Sequence, residues 1–273
     1  MKLRILSFAT IIIALATVSI QAMPKLNIMC DETCQKQTSC KLKSPQIKIL
    51  TEYSCSQLQA YYPDLVSASR KYSTPTLKLT PYVLAGLIDR ETLWGKALKP
   101  STCGGYGDLD YGHGIVQIHG AFSEPKLGTF AKPNTKVMKR TDKYGKQYFN
   151  WSSCNESIQY LGAYLMNIDD AYSNAIMNKL SKAKMNITKD SNGSLIDFKS
   201  QYAYMTLIID AYNAGGYGVA MREGCYVNGN GIVVDGCTTG KDYGTDILMR
   251  AKEYYIVDVG MNAWEGELFR FDW

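Results

Sequence analysis

Histidine is scarce: the 273-residue chain has two, His113 and His119, and none of its eight cysteines forms a Cys-x-x-Cys pair. Tetrahedral zinc sites draw on closely spaced cysteines and histidines, so neither a metal nor any other cofactor is expected. No run of lysine and arginine is interleaved with aromatics, which argues against a nucleic-acid partner. No Gly-Lys-Ser/Thr completes a glycine-rich stretch, which excludes a phosphate-cradling loop of the nucleotide-binding kind. There is no internal repeat and no central linker rich in glycine, serine or proline. A single domain is therefore expected. At 46% hydrophobic and 20% charged residues, the composition also excludes collagen-like, coiled-coil and disordered classes.

What is present begins with Lys2 and Arg4 ahead of an apolar run from Ile5 to Ile20, ending in Gln21-Ala22. Too short and too rich in Ser and Thr for a spanning helix, this reads as a secretory signal peptide, residues 1–22, cleaved after Ala22. Nothing later is apolar enough to cross a bilayer, so no membrane association is expected after cleavage. The loss of two cations takes the formal charge from +5 to +3, a mildly basic balance that suits a polyanionic wall or plain solubility. Export to the extracellular space, or to a lysosomal or digestive-vacuole lumen, fits the cysteines. Cys30, Cys34, Cys40, Cys55, Cys103, Cys154, Cys225 and Cys237 all follow the signal, and an even set in an exported chain reads as disulfides. The preferred pairing is Cys225 with Cys237, Cys103 with Cys154, and the first four among themselves.

Residues 23–44 form a polar, cysteine-rich extension without apolar periodicity, and residues 45–273 hold the main domain. Its first helical pattern, through Ile47, Ile49, Leu50, Leu58, Tyr61, Leu65 and Val66, is broken at Pro63. The clearest helix starts at Thr80-Pro81, a cap residue followed by proline at the first helical position, and stops at Gly95. Further helices are predicted over 155–183, through Tyr204, Leu207, Ile208 and Ala211 to a stop at Gly215-Gly216, and over 243–257. Asn228-Gly-Asn-Gly231 between Cys225 and Cys237 predicts a hairpin. The long helices serve as core scaffold. Triplets at Asn150, Asn155, Asn186 and Asn192 have the Asn-x-Ser/Thr form of glycosylation acceptors.

Glu91 stands out because its spacing from Leu87 and Ile88 makes a carboxylate project from the apolar face of the Thr80–Gly95 helix, whereas Asp89 and Arg90 point elsewhere. Loss of solvation would raise its pKa and make it a general acid; the plainer alternative is a structural partner of an arginine or lysine. The segment Cys103-Gly-Gly-Tyr-Gly-Asp-Leu-Asp-Tyr-Gly-His-Gly114 has five glycines in twelve residues, so its backbone bends sharply. It brings Asp108 and Asp110 within reach of the helix end. Paired carboxyl groups across a cleft are the equipment of glycosidic-bond cleavage.

In order along the chain, Leu84-Ala-Gly-Leu-Ile-Asp-Arg-Glu-Thr92, Gly105-Tyr-Gly-Asp108, Gly112-His-Gly-Ile-Val-Gln-Ile118 and Ala211-Tyr-Asn-Ala-Gly215 resemble goose-type lysozymes, within the wider group that includes soluble lytic transglycosylases. The resemblance spans roughly Pro45 to Gly260. It implies a mainly α, lysozyme-like α+β fold with a small glycine-rich β region lining a sugar cleft. It places Glu91 at the family's catalytic acid and Asp108 at the aspartate of the Gly-Trp-Gly-Asp motif, with Tyr106 replacing tryptophan. Gln117, Tyr212, Asn213 and Tyr243 match cleft-lining positions, and Asp110 is a weaker candidate. Where the family has a second aspartate, two residues after the glutamine, this chain has His119, read as a polar wall residue. His113 is read as packing.

The implied activity is inverting hydrolysis of the β-1,4 bond between N-acetylmuramic acid and N-acetylglucosamine in bacterial peptidoglycan, by a monomer, with Glu91 protonating the leaving oxygen and Asp108 orienting water. Inverting geometry requires carboxyl groups about 6.5–9.5 Å apart. The nearest alternative is a lytic transglycosylase that leaves a 1,6-anhydro end. A chitinase is a further enzymatic reading, and a non-catalytic glycan-binding protein on the same fold is a reading of another class.

Overall fold

The computed structural model describes residues 48–98, 101–105, 107, 112–119, 137–141, 147–151, 153–221, 223–238 and 240–259. The signal segment, the extension bearing Cys30, Cys34 and Cys40, and Tyr106, Asp108 and Asp110 lie outside them. Within them the fold is mainly α: α1 (Glu52–Tyr72), α2 (Pro81–Thr92), α3 (Cys154–Lys182), α4 (Phe198–Ala214), α5 (Gly216–Met221) and α6 (Tyr243–Val259). Three antiparallel pairs accompany them: β1 (Gly112–His113) with β2 (Ile118–His119), β3 (Val137–Thr141) with β4 (Gln147–Trp151), and β5 (Cys225–Val227) with β6 (Val233–Asp235).

Local chemistry sets most of the helix starts. The hydroxyls of Thr51, Thr80 and Ser153 accept from the amides of Ser54, Val83 and Glu156, and the Asp197 carboxylate accepts from Ser200. These are side-chain caps for first-turn amides, which have no helical carbonyl one turn before them to bond. Pro81 at the first helical position follows its cap as the sequence predicts. At the other end α2 stops at Thr92, before Gly95: Leu93 and Trp94 already have positive φ, 47° and 55°. Trp94 is held there by burial, by a 2.7 Å hydrogen bond from its indole nitrogen to Tyr254 Oη, and by stacking on Tyr61.

One sequence expectation is corrected. Pro63 does not break the first helix, which runs unbroken from Glu52 to Tyr72. Proline removes one intrahelical bond and crowds the preceding turn, but Leu58, Tyr62, Leu65 and Val66 on either side of it are buried, and their packing carries the helix through.

The core forms where α2 packs against α6 and α1, with α3 and α4 completing it. Leu84, Leu87 and Ile88 of α2 are fully buried beside Ile247, Leu248 and Ala251 of α6. Gly86 permits this approach, since a Cβ there would sit 2.6 Å from the Ile247 carbonyl oxygen. Glu253 of α6 fastens the chain entering α1 by accepting from the amides of Lys48, Ile49 and Leu50.

Both disulfides predicted among the later cysteines are present, Cys103–Cys154 and Cys225–Cys237. Cys55 is disulfide-bonded as well; its expected pairing with one of the first three cysteines lies outside the described residues. None of the described helices is long and apolar enough to cross a membrane.

Candidate functional site

The last turn of α2 carries Asp89, Arg90, Glu91 and Thr92, and the four side chains part company there. Asp89 goes inward, contrary to the sequence reading that it points away: it is 3% exposed, with 2.6 Å to Arg250 Nη1 and 2.8 Å from Ser54 Oγ. A carboxylate so placed requires a charged partner, because desolvation alone drives its pKa up. Arg250, on α6, supplies it and offsets part of that rise. Arg90 faces out to Asp242 and Asp246 at 3.5 and 3.3 Å.

Glu91 is half-buried. Its Oε1 accepts a hydrogen bond from the Tyr243 hydroxyl at the start of α6. Burial raises its pKa above the ordinary carboxylate value, and the Tyr243 bond and the Arg90 charge, in that order, oppose the rise. Tyr212, in the last turn of α4, lies close enough to Glu91 and Tyr243 to interact with both electrostatically, and donates its hydroxyl to the Val116 carbonyl. Its ring meets Tyr164 edge-on with centroids 5.4 Å apart. Three elements distant in sequence thus converge on one carboxyl group.

The glycine-rich segment is joined to this site through Thr92. That buried hydroxyl donates to the Ile115 carbonyl at 3.1 Å and accepts from the Gly95 amide at 2.9 Å, so the turn between β1 and β2 is tied to the residue after Glu91. The turn is closed by the Gln117 amide donating to the Gly114 carbonyl, and the amides of Gly107, Gly114 and Ile115 donate to the carbonyls of Gly112, Gly105 and Cys103, tying it to the stretch that the Cys103–Cys154 disulfide anchors. Gln117 sits at its tip with φ 47°, its Nε2 donating to the Gly114 carbonyl at 2.8 Å. Its side chain fills the room that side chains on Gly107 and Gly112 would need: a Cβ at either would lie within 2.2 Å of Gln117 Oε1. Glycine at 107 and 112 is therefore a packing requirement of Gln117.

Of the residues singled out in the sequence, Glu91, Tyr212 and Tyr243 are brought together, and Gln117 lies one residue from the Val116 carbonyl that Tyr212 holds. Asn213 is exposed next to Tyr212. His119 pairs with Gly112, and His113 with Ile118, in the small β1–β2 ladder. Asp108 and Asp110, the candidates for a second carboxylate, lie outside the described residues. Thr92 escaped the sequence reading, although a threonine directly after a helix-terminal glutamate and ahead of Gly95 is a visible local signal.

Elsewhere, Cys225, Asp235 and Cys237 place their ligand atoms within 4.8 Å of one another, but both sulfurs are committed to the disulfide. A groove of about 510 Å³, lined by Phe198, Tyr202, Ile232, Met249 and Tyr255 among others, includes none of the residues around Glu91. No protein-family model matches this chain, and neither does any curated protein.

Proposed function

We propose that this protein is a secreted peptidoglycan hydrolase, a muramidase that cleaves the β-1,4 bond between N-acetylmuramic acid and N-acetylglucosamine with Glu91 as general acid. The observation that carries this reading is the environment of Glu91: a helix-terminal carboxyl group withdrawn from water, its pKa raised, with a tyrosine hydroxyl on one oxygen. Such a group keeps its proton at a pH where an exposed glutamate has lost it, and can deliver it to a glycosidic oxygen. The ordered resemblance to goose-type lysozymes supports the same assignment. In this reading Tyr212, Gln117, Asn213, Asp110 and His119 line the sugar cleft, and Asp108 orients the attacking water. The disulfides and the absence of a membrane-crossing helix among the described residues are compatible with a secreted enzyme.

A lytic transglycosylase is the second reading, favoured by one observation: His119 stands where the goose-type pattern has an aspartate. Such an enzyme needs one acid, because a group of the substrate itself attacks the anomeric carbon.

Mass spectrometry of the fragments released from isolated peptidoglycan tests both. Fragments carrying an added water establish hydrolysis, and 1,6-anhydro-muramic ends establish the transglycosylase. With Glu91→Gln, release is expected to fall by a factor of about 10²–10⁴, the usual contribution of a general acid. If the unsubstituted protein releases nothing yet binds the wall, the enzymatic reading is wrong and a glycan-binding protein remains.

A further inference from the structure

The Tyr243 hydroxyl donates to Glu91 from the first turn of α6, and a pair of buried aspartates bonds the amides of that turn. Asp235, at the end of β6 and 5% exposed, accepts the Tyr243 amide on Oδ2 at 2.9 Å. Its two oxygens also take the amide of Thr238 at 3.0 Å and that residue's hydroxyl. Asp210, fully buried on α4, accepts the Gly244 amide on Oδ1 at 2.8 Å. Two consecutive amides of the α6 start are thus held by carboxyl groups from two other elements. The space around Gly244 is correspondingly closed, since a Cβ there would sit 2.5 Å from Asp210 Oδ1 and 2.6 Å from the Thr206 carbonyl oxygen. Asp235 is itself anchored: its strand partner across the hairpin is Cys225, whose disulfide to Cys237 closes the hairpin two residues beyond Asp235.

We infer that Asp235 and Asp210 are positioning residues for Glu91, acting through the first turn of α6 to set the Tyr243 hydroxyl on the candidate acid. They do not touch Glu91. Their effect travels along one covalent step, from the Tyr243 and Gly244 amides to the Tyr243 side chain. Among the described residues, the groups facing Glu91 are Tyr243, Tyr212 and Arg90. Tyr212 is bound to the Val116 carbonyl, away from α6, and Arg90, which pairs with Asp242 and Asp246 beside Tyr243, is the weaker of the two influences that favour the ionised Glu91, so a change at Asp235 reaches Glu91 chiefly through the direct Tyr243 bond. The inference rests on the reading of Glu91 as the acid, but its test does not require turnover.

The test is the titration of the Glu91 carboxyl carbon, followed by NMR in glutamate-labelled mature protein and assigned with Glu91→Gln. Tyr243→Phe removes a bond that favours the ionised form, so the Glu91 midpoint is expected to move up. Asp235→Asn places an amide group where three donors converge, displaces the first turn, and is expected to move the midpoint in the same direction. Combined with Tyr243→Phe it should add nothing further, because both act through one hydroxyl. Thr238→Val, which removes one donor to Asp235 with little change of volume, should give a smaller upward shift and replaces Asp235→Asn if that variant does not fold. A wild-type midpoint in folded Asp235→Asn, or in Thr238→Val where that variant stands in for it, overturns the inference, as do additive shifts in the double variant. If the shifts appear while the unsubstituted protein releases no wall fragments, the positioning stands and only the function reading fails.

Discussion

At Glu91 two opposing influences meet, and their order makes a pH prediction. Burial raises the carboxyl pKa, whereas the Tyr243 hydroxyl and then the Arg90 guanidinium favour the charged form. A general acid works protonated, so activity is expected to decline as pH rises through the Glu91 pKa, along the alkaline limb of the kcat/KM profile. Arg90→Gln removes a cation that favours the carboxylate, and is expected to move this limb to higher pH. Tyr243→Phe should move it the same way and further, since its bond is the larger of the two opposing influences. The measurement is kcat/KM against pH on isolated peptidoglycan for the three proteins. A limb that stays fixed in both variants would mean that it belongs to some other group. The sign also separates an electrostatic effect from general damage, which lowers the plateau without moving the limb.

Among the elements, the β1–β2 turn is tied to α2 through Thr92, and Gln117 occupies the space that Gly107 and Gly112 leave open. Gly112→Ala is expected to displace the Gln117 amide and break its bond to the Gly114 carbonyl, at about 0.5–1.5 kcal/mol for the lost hydrogen bond. Gln117→Ala empties the space, so the cost of Gly112→Ala should shrink in that background; a double-mutant cycle in denaturant measures it. Equal costs in both backgrounds would deny the contact. Sequence reading recovers elements with strong local punctuation: α2 from Thr80-Pro81, α3 and α6 within a residue or two, α4 from its glycine stop, and the hairpin from Asn228-Gly-Asn-Gly231 between paired cysteines. It fails where tertiary packing overrides local preference. Pro63 reads as a break because local preference does not show that Leu58, Tyr62, Leu65 and Val66 around it are buried against the rest of the core, and Asp89 reads as outward because its partner, Arg250, is 161 residues away. The β3–β4 pair went unread. At the site, Glu91 stands out from spacing alone, while Tyr212, Tyr243 and Gln117 came through the family resemblance, since nothing local says that their helix ends and turn converge. The chemistry of the last turn is legible, and its long-range support is not.

Across the whole molecule, buried acids join elements that the disulfides leave separate: Asp89 binds α2 to α6 through Arg250, and Asp210 binds α4 to the start of α6. The two behave oppositely when perturbed. Arg250→Ala leaves Asp89 buried without its cation and is expected to cost about 3–5 kcal/mol, read as a fall in the denaturation midpoint. Asp210 has no cation beside it among the described residues. Burial first, and the neighbouring Asp235 carboxylate second, push its pKa from 3.8 up to about 8. It therefore holds a proton at neutral pH in the folded protein, while the unfolded chain has released it. A folded pKa above the unfolded one makes a contribution to stability that is complete below about pH 4 and is lost as pH rises to 8, beyond which it is constant. Asp210→Asn keeps an oxygen for the Gly244 amide and cannot ionise. Relative to the unsubstituted protein, it is expected to gain stability steadily between pH 4 and 8, by up to about 1.4 kcal/mol per pH unit, with no further gain above. Glu91 and the other groups that do not act on Asp210 are common to both proteins and cancel in the difference. Urea midpoints for the pair at pH 4.5, 6, 7.5 and 9 measure it, and a difference that is flat across that range would mean that Asp210 is already ionised in the folded state and that the junction of α4 with α6 rests on something other than a shared proton.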